Sequence, residues 1–65
     1  MNKFNGKLIS KIRKEKGISA ERLAADSGIS YSSIASIEQG VRKPKADTLN
    51  KIAQVLEVSM ENFFE

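Results

Sequence analysis

The sequence predicts an all-α chain, a compact bundle of five short helices, on three observations. Apolar residues recur three and four positions apart in segment after segment, which is the period of one helical face. Gly17, Gly28 and Gly40 each stand just past the end of such a segment, where a helix stop belongs, and no stretch alternates with the period of two that a strand requires.

Each element has its own local cause. Met1 to Asn5 shows no pattern and reads as a flexible tail, although Phe4 could fold back as a staple ahead of the first helix and Asn5 is a suitable N-cap. From Gly6 to Lys16, Leu8, Ile9 and Ile12 lie at helical spacing, the last turn is rich in Lys and Arg, and Gly17 closes the segment. Ile18 enters the core, and Ser19 caps a second helix that runs from Ala20 to about Ser27. After Gly28 and Ile29, Ser30 caps a third helix, Tyr31 to Gln39, which carries only Ile34 and Ile37 as strongly apolar residues. Its serines compete with their own backbone, so this helix must depend on packing rather than propensity. Leu23 and Ala24 before the turn, with Ile34 and Ile37 after it, are placed so that helices two and three touch across a tight connection, a helix-turn-helix in which Ala24 is small enough to permit a steep crossing. The VRKPK loop follows Gly40, and helix four is expected over Ala46 to Glu57 with Leu49, Ile52, Ala53 and Leu56 as its buried stripe. Ser59 caps a last short helix with Met60, Phe63 and Phe64 on its apolar side.

Sixty-five residues suffice for one domain, which buries only roughly 60% of its unfolded surface, so stability is expected to be thin. With no cysteine and no histidine, neither disulfides nor the common zinc ligand sets are available, and no metal or cofactor is expected. No apolar run approaches the length of a membrane span and no secretory leader is visible, so a cytoplasmic protein without membrane partners is the expectation. The net charge of +3 is unevenly spread: residues 1–18 carry +5 and residues 41–45 carry +3, whereas residues 19–40 carry −2 and residues 46–65 carry −3. One end suits a polyanion and the other does not. For Lys3, Lys7 and Lys11, simple solvation explains the charge equally well.

In order and spacing, ISKIRKEKG (Ile9 to Gly17), LAADSGIS (Leu23 to Ser30), SIASIEQG (Ser33 to Gly40), Pro44 and LNKIAQVLEVS (Leu49 to Ser59) resemble the phage repressor and Cro type of helix-turn-helix domain, also called the xenobiotic-response-element type. The resemblance covers Gly6 to Phe64. It implies a lambda-repressor-like five-helix bundle that binds double-stranded DNA as a homodimer, with the helix from Tyr31 to Gln39 in the major groove. Two positions depart from the pattern: Ala20 stands where such domains commonly have a phosphate-contacting glutamine, and Ser27 where the residue before the turn glycine is usually apolar.

Roles follow from these placements. Tyr31, Ser32 and Ser36 lie on one outward side of the third helix, opposite Ile34 and Ile37, and match the family's reading positions, so they are the expected base readers. Ser19, Ser30, Ser33, Gln39, Arg42 and Lys43 are the expected phosphate ligands, the two cap serines doubling as helix caps. Arg13 and Glu38 occupy positions that resemble the family's structural ion pair. Val55, Met60, Phe63 and Phe64 are candidates for a dimer interface, the alternative being that the phenylalanines close the monomer's own core.

The expected function is therefore a sequence-specific transcriptional regulator, a homodimeric repressor or autoregulatory switch reading a near-palindromic operator. A protein-interaction module such as an antitoxin, its C-terminal helices holding a partner protein, is the alternative. An enzyme is disfavoured, because the chain lacks histidine, cysteine and any glycine-rich phosphate cradle, and its carboxylates fit caps and bridges better than an acid–base pair.

Overall fold

Capping chemistry sets the helix boundaries in the computed structural model, which describes residues 3–65. The helices are α1 (Gly6–Glu15), α2 (Ala20–Ser27), α3 (Tyr31–Glu38) and α4 (Ala46–Leu56), followed by a 3-10 turn at Met60–Phe63. Asn5 accepts the Lys7 N–H at 3.0 Å, Ser19 that of Arg22 at 3.0 Å and Ser30 that of Ser33 at 3.2 Å. Each bond satisfies a first-turn amide that the helix cannot pair by itself, at about 1 kcal/mol apiece. Gly28 leaves α2 at φ 73°, a left-handed conformation open to glycine at little cost.

The core draws on every element. Ile9 of α1, Leu23 and Ala24 of α2, Ile34 and Ile37 of α3, four residues of α4 (Leu49, Ile52, Ala53 and Leu56) and Phe63 form one buried cluster. No polar or charged residue is buried among the described residues. α2 packs on both α3 and α4, while α1 lies against α3 and the 3-10 turn. The small Ala24 sits in the core at 8% exposure. No helix of the described residues is long and apolar enough to cross a membrane.

Two expectations are corrected at the ends of the chain. The last helix is a four-residue 3-10 turn, not an α-helix, because so short a segment cannot close a run of i→i+4 hydrogen bonds. The tighter winding delivers Phe63 into the core with no exposed surface and sends Phe64 onward in an extended conformation. Residues 3–5 of the expected tail are not loose either. Phe4 and Phe64 form an antiparallel bridge, flanked by Lys3 N–H to the Glu65 carbonyl at 3.1 Å, Glu65 N–H to the Lys3 carbonyl at 2.8 Å and Asn5 N–H to the Phe63 carbonyl at 2.8 Å. The two rings meet edge to face, their centroids 5.7 Å apart, so the pair of Phe4 and Phe64 closes the bundle. Met1 and Asn2 lie outside the described residues.

Gly6 shows how closely α1 and α3 approach. It is buried, and a Cβ built there would penetrate the carbonyl of Ile37 and crowd the Cα of Glu38, both immovable backbone. Gly6→Ala is therefore expected to cost about 3 kcal/mol in urea unfolding, the size of a severe overpacking, with an unchanged midpoint showing that the two helices can part freely. Glu57 ends α4 at φ 59° and ψ 41°, the one non-glycine residue with positive φ among those described. Glu57→Gly relieves that conformation and should raise stability by about 0.5–1 kcal/mol in the same assay.

Candidate nucleic-acid interface

α3 is built to be held from one side and offered from the other. Ile34 and Ile37 are 0% and 2% exposed, and burying two such side chains contributes roughly 1.5–3 kcal/mol each to a helix of poor intrinsic propensity. On the far side Ser32 and Gln39 are exposed and Ser36 is half-buried, while Tyr31, three residues before Ile34 and 52% exposed, stands at the flank of the helix beside Glu38 rather than opposite the isoleucines. The Ser36 carbonyl is occupied in turning the chain, accepting the N–H of Val41 at 3.0 Å and of Arg42 at 3.3 Å, which curls the loop back beside the helix. Gly40 permits that reversal at φ 81°.

The loop returns a cation to the first turn of α3. Arg42 donates from Nη1 to the Ser33 hydroxyl at 3.0 Å, and Ser33 also accepts from the Ser30 hydroxyl at 2.9 Å. Ser32 adds a contact with Ser30 at 3.4 Å. A chain of hydroxyls thus links the helix cap, the exposed side of α3 and the guanidinium. Ser33, singled out from sequence as a phosphate ligand, accepts from both Arg42 and Ser30, so its own hydroxyl proton is left to donate while its oxygen holds the guanidinium. Lys43 lies with Arg42, Lys45 and Thr48 around a concavity of about 290 Å³; the last two were not singled out from the sequence.

Ser19 is exposed and capped to Arg22, at the start of α2. Next to it Ala20 borders a concavity of about 300 Å³ shared with Tyr31 and Gln39, where its methyl group offers no polar atom to a ligand. Ser27, the second departure, donates its hydroxyl to the Leu23 carbonyl at 2.6 Å and so satisfies itself within α2 rather than disturbing the turn. Phe63 is corrected as an interface candidate: it is wholly inside the core, while Val55, Met60 and Phe64 are partly buried.

One ion pair ties α3 to the rest. Arg13 donates from Nε to Glu38 Oε2 at 2.9 Å and from Nη2 to Oε1 at 3.1 Å, a two-pronged bridge, while Nη1 donates to the Ile18 carbonyl at 3.0 Å. Three segments are joined through a single guanidinium. The hydrogen bond to Glu38 holds Arg13 above its ordinary pKa; burial pulls the other way, and the Glu38 charge adds to the rise. Stability contributed by that rise is complete below the ordinary arginine pKa and is lost only in strong alkali, so the cation itself imposes no loss across neutral pH.

A helix-turn-helix family model matches residues 9–63. The transcriptional regulator PuuR of Escherichia coli is 41% identical over 59 residues, covering 91% of this chain and 32% of PuuR. The chain therefore spans about a third of that relative's length. Among solved structures, the restriction-modification controller protein C.AhdI of Aeromonas hydrophila superposes with a TM-score of 0.87 at 30% identity, covering 91% of this chain and 89% of that one. SinR, the master regulator of biofilm formation, solved in complex with DNA, superposes with a TM-score of 0.82 at 38% identity, covering 86% of this chain and 90% of that one.

The side chains of Arg13 and Glu38 are only 11% and 12% exposed, which places the bridge near the buried limit. Glu38→Gln is expected to cost about 3 kcal/mol in urea melts, against under ~0.5 kcal/mol for Asp26→Asn in the exposed Arg22–Asp26 pair. Equal, small losses in both variants would show the bridge to be no more than a surface contact.

Proposed function

The chain belongs to the helix-turn-helix family, and from that premise we propose that it is a sequence-specific, duplex-DNA-binding transcriptional regulator, a homodimeric repressor or autoregulatory switch working in the cytoplasm. One observation carries the reading. The exposed residues of α3 and the guanidinium of Arg42 form a single surface, tied together by the Arg42–Ser33 hydrogen bond and braced from behind by Ile34 and Ile37.

In this reading α3 enters the major groove. Tyr31 brings its hydroxyl and ring edge to the bases, and Ser32 and Ser36 offer hydroxyls that donate or accept. Ser19, Ser30, Ser33 and Gln39 flank the groove toward the phosphates, and Arg42 and Lys43 neutralise them, with the Ser33 oxygen also orienting the arginine. None of the base readers makes the two-pronged contact that arginine makes with guanine, so part of the selectivity rests on DNA shape. The action is binding, with no catalytic step assigned.

The homodimer draws on a different surface. An apolar concavity of about 690 Å³ runs between α4 and the 3-10 turn, bordered by Ala53, Val58, Met60 and Phe64. Burying it against a second copy sets two recognition helices about 34 Å apart, one turn of the duplex, and makes the site a near-palindrome.

Selection from random duplexes with the purified protein should return two related half-sites, their centres one helical turn apart, and recovery of no common sequence sinks the reading. Arg42→Ala is expected to weaken all duplexes alike and to flatten the salt dependence by a slope of about 1, whereas Tyr31→Ala should cost about 1–3 kcal/mol on the selected site only. Competition titrations with selected and unrelated duplexes separate the two behaviours.

A further inference from the structure

The basic surface beside α3 is larger than Arg42 and Lys43. These two residues line two concavities at once: the one of about 290 Å³ that includes Lys45, and another of about 390 Å³ that includes Lys3. The concavities therefore adjoin along the loop, and Lys3, Arg42, Lys43 and Lys45 form one track. No acidic residue lines either hollow. The ion pairs among the described residues engage Arg13, Arg22 and Lys51, so none of the four track cations is neutralised by a carboxylate.

Lys3 reaches this place from the opposite end of the chain, and its backbone is fixed there by two hydrogen bonds to Glu65 beside the Phe4–Phe64 bridge. Glu65 stands across from it, yet its carboxylate makes no ion pair with the lysine. At the other end of the track, Lys45 immediately precedes α4, where no side chain caps the helix. Four unpaired cations along a surface that continues from α3 through the Arg42–Ser33 bond fit a row of regularly spaced negative charges better than a single small anion.

We propose that Lys3 and Lys45 are phosphate-contacting residues that extend the duplex-DNA interface to either side of Arg42 and Lys43, the terminal Phe4–Phe64 bridge serving to hold Lys3 in line. The inference rests on the DNA-binding reading above. It assigns the DNA backbone, not the base edges, as the ligand, because flexible ammonium groups outside the exposed side of α3 carry charge but no hydrogen-bond pattern.

The test is the salt dependence of binding to the selected duplex and to an unrelated one, measured for the wild type, Lys3→Gln, Lys45→Gln, the double variant and Lys3→Arg. All replace exposed side chains, so folding is spared. Each glutamine variant is expected to lower the slope of log affinity against log salt by about 0.9 and to weaken both duplexes by the same factor, roughly fivefold to tenfold near 0.1 M salt. The double variant should lose about twice that slope, and Lys3→Arg should keep the wild-type value. Glutamine variants with the wild-type slope would make Lys3 and Lys45 solvated spectators and overturn this inference alone, while a loss confined to the selected duplex would overturn it by showing base contact. A wild type that binds neither duplex overturns the DNA-binding reading and this inference with it.

Discussion

The structure depends on one constraint: α3 cannot be a helix on its own. Its sequence, YSSIASIE, contains Ser32, Ser33 and Ser36, whose hydroxyls find alternative hydrogen bonds in non-helical conformations, and it spans about two turns. The free energy that keeps it helical comes from behind, through Ile34 and Ile37 against the core. Every other element can be understood by what it adds to that support. α2 supplies Leu23 and the small Ala24, α4 lies behind α2, and α1 comes so close at Gly6 that only a glycine fits against the Ile37 carbonyl. Because stability is supplied from the back, the front is free to carry residues chosen for contact.

The Arg13–Glu38 bridge acts on the same helix by a different force. Apolar packing is non-directional and would tolerate some rotation of α3 about its axis, whereas a two-pronged guanidinium–carboxylate contact has a single geometry. The third donor of Arg13, on the Ile18 carbonyl, refers that geometry to the connection before α2. The orientation of Tyr31 and Ser32 is thus set by a polar contact that borders the same concavity as Tyr31, and their presentation by an apolar one from behind.

The two departures from the family pattern have different physical weight. Ser27 is absorbed: its hydroxyl is satisfied by the Leu23 carbonyl one turn earlier, and Gly28 still adopts its left-handed conformation. Ala20 leaves position 20 without a polar atom, and the concavity it borders takes its polar groups from Lys7, Ser10, Arg13, Tyr31, Glu38 and Gln39 instead. The positive charge gathered in the loop after α3 includes Arg42, which stays exposed while its guanidinium donates to the Ser33 hydroxyl.

Much of this was legible in the residues themselves. The side-chain caps at Asn5, Ser19 and Ser30, the turn at Gly28, the two isoleucines of α3 and the stripe of α4 are local signals, each decided by neighbours within four positions in sequence, and the structure has all of them, whereas the cap expected from Ser59 is not formed on the 3-10 turn. What the sequence could not show are contacts between segments far apart in the chain. No periodicity joins Phe4 to Phe64, and so the ends read as a tail and a helix where the fold has a bridge and a 3-10 turn. Phe63 and Phe64 look alike as letters, yet one is core and the other partly exposed, because the tight turn aims them differently. The sequence by itself determined the helices, their ends and the chemistry available on each face, since those follow from bond geometry and solvation over a few residues. Only the tertiary structure decided which charges stand side by side and why Gly6 must be glycine, because those depend on distances that close when the whole core does.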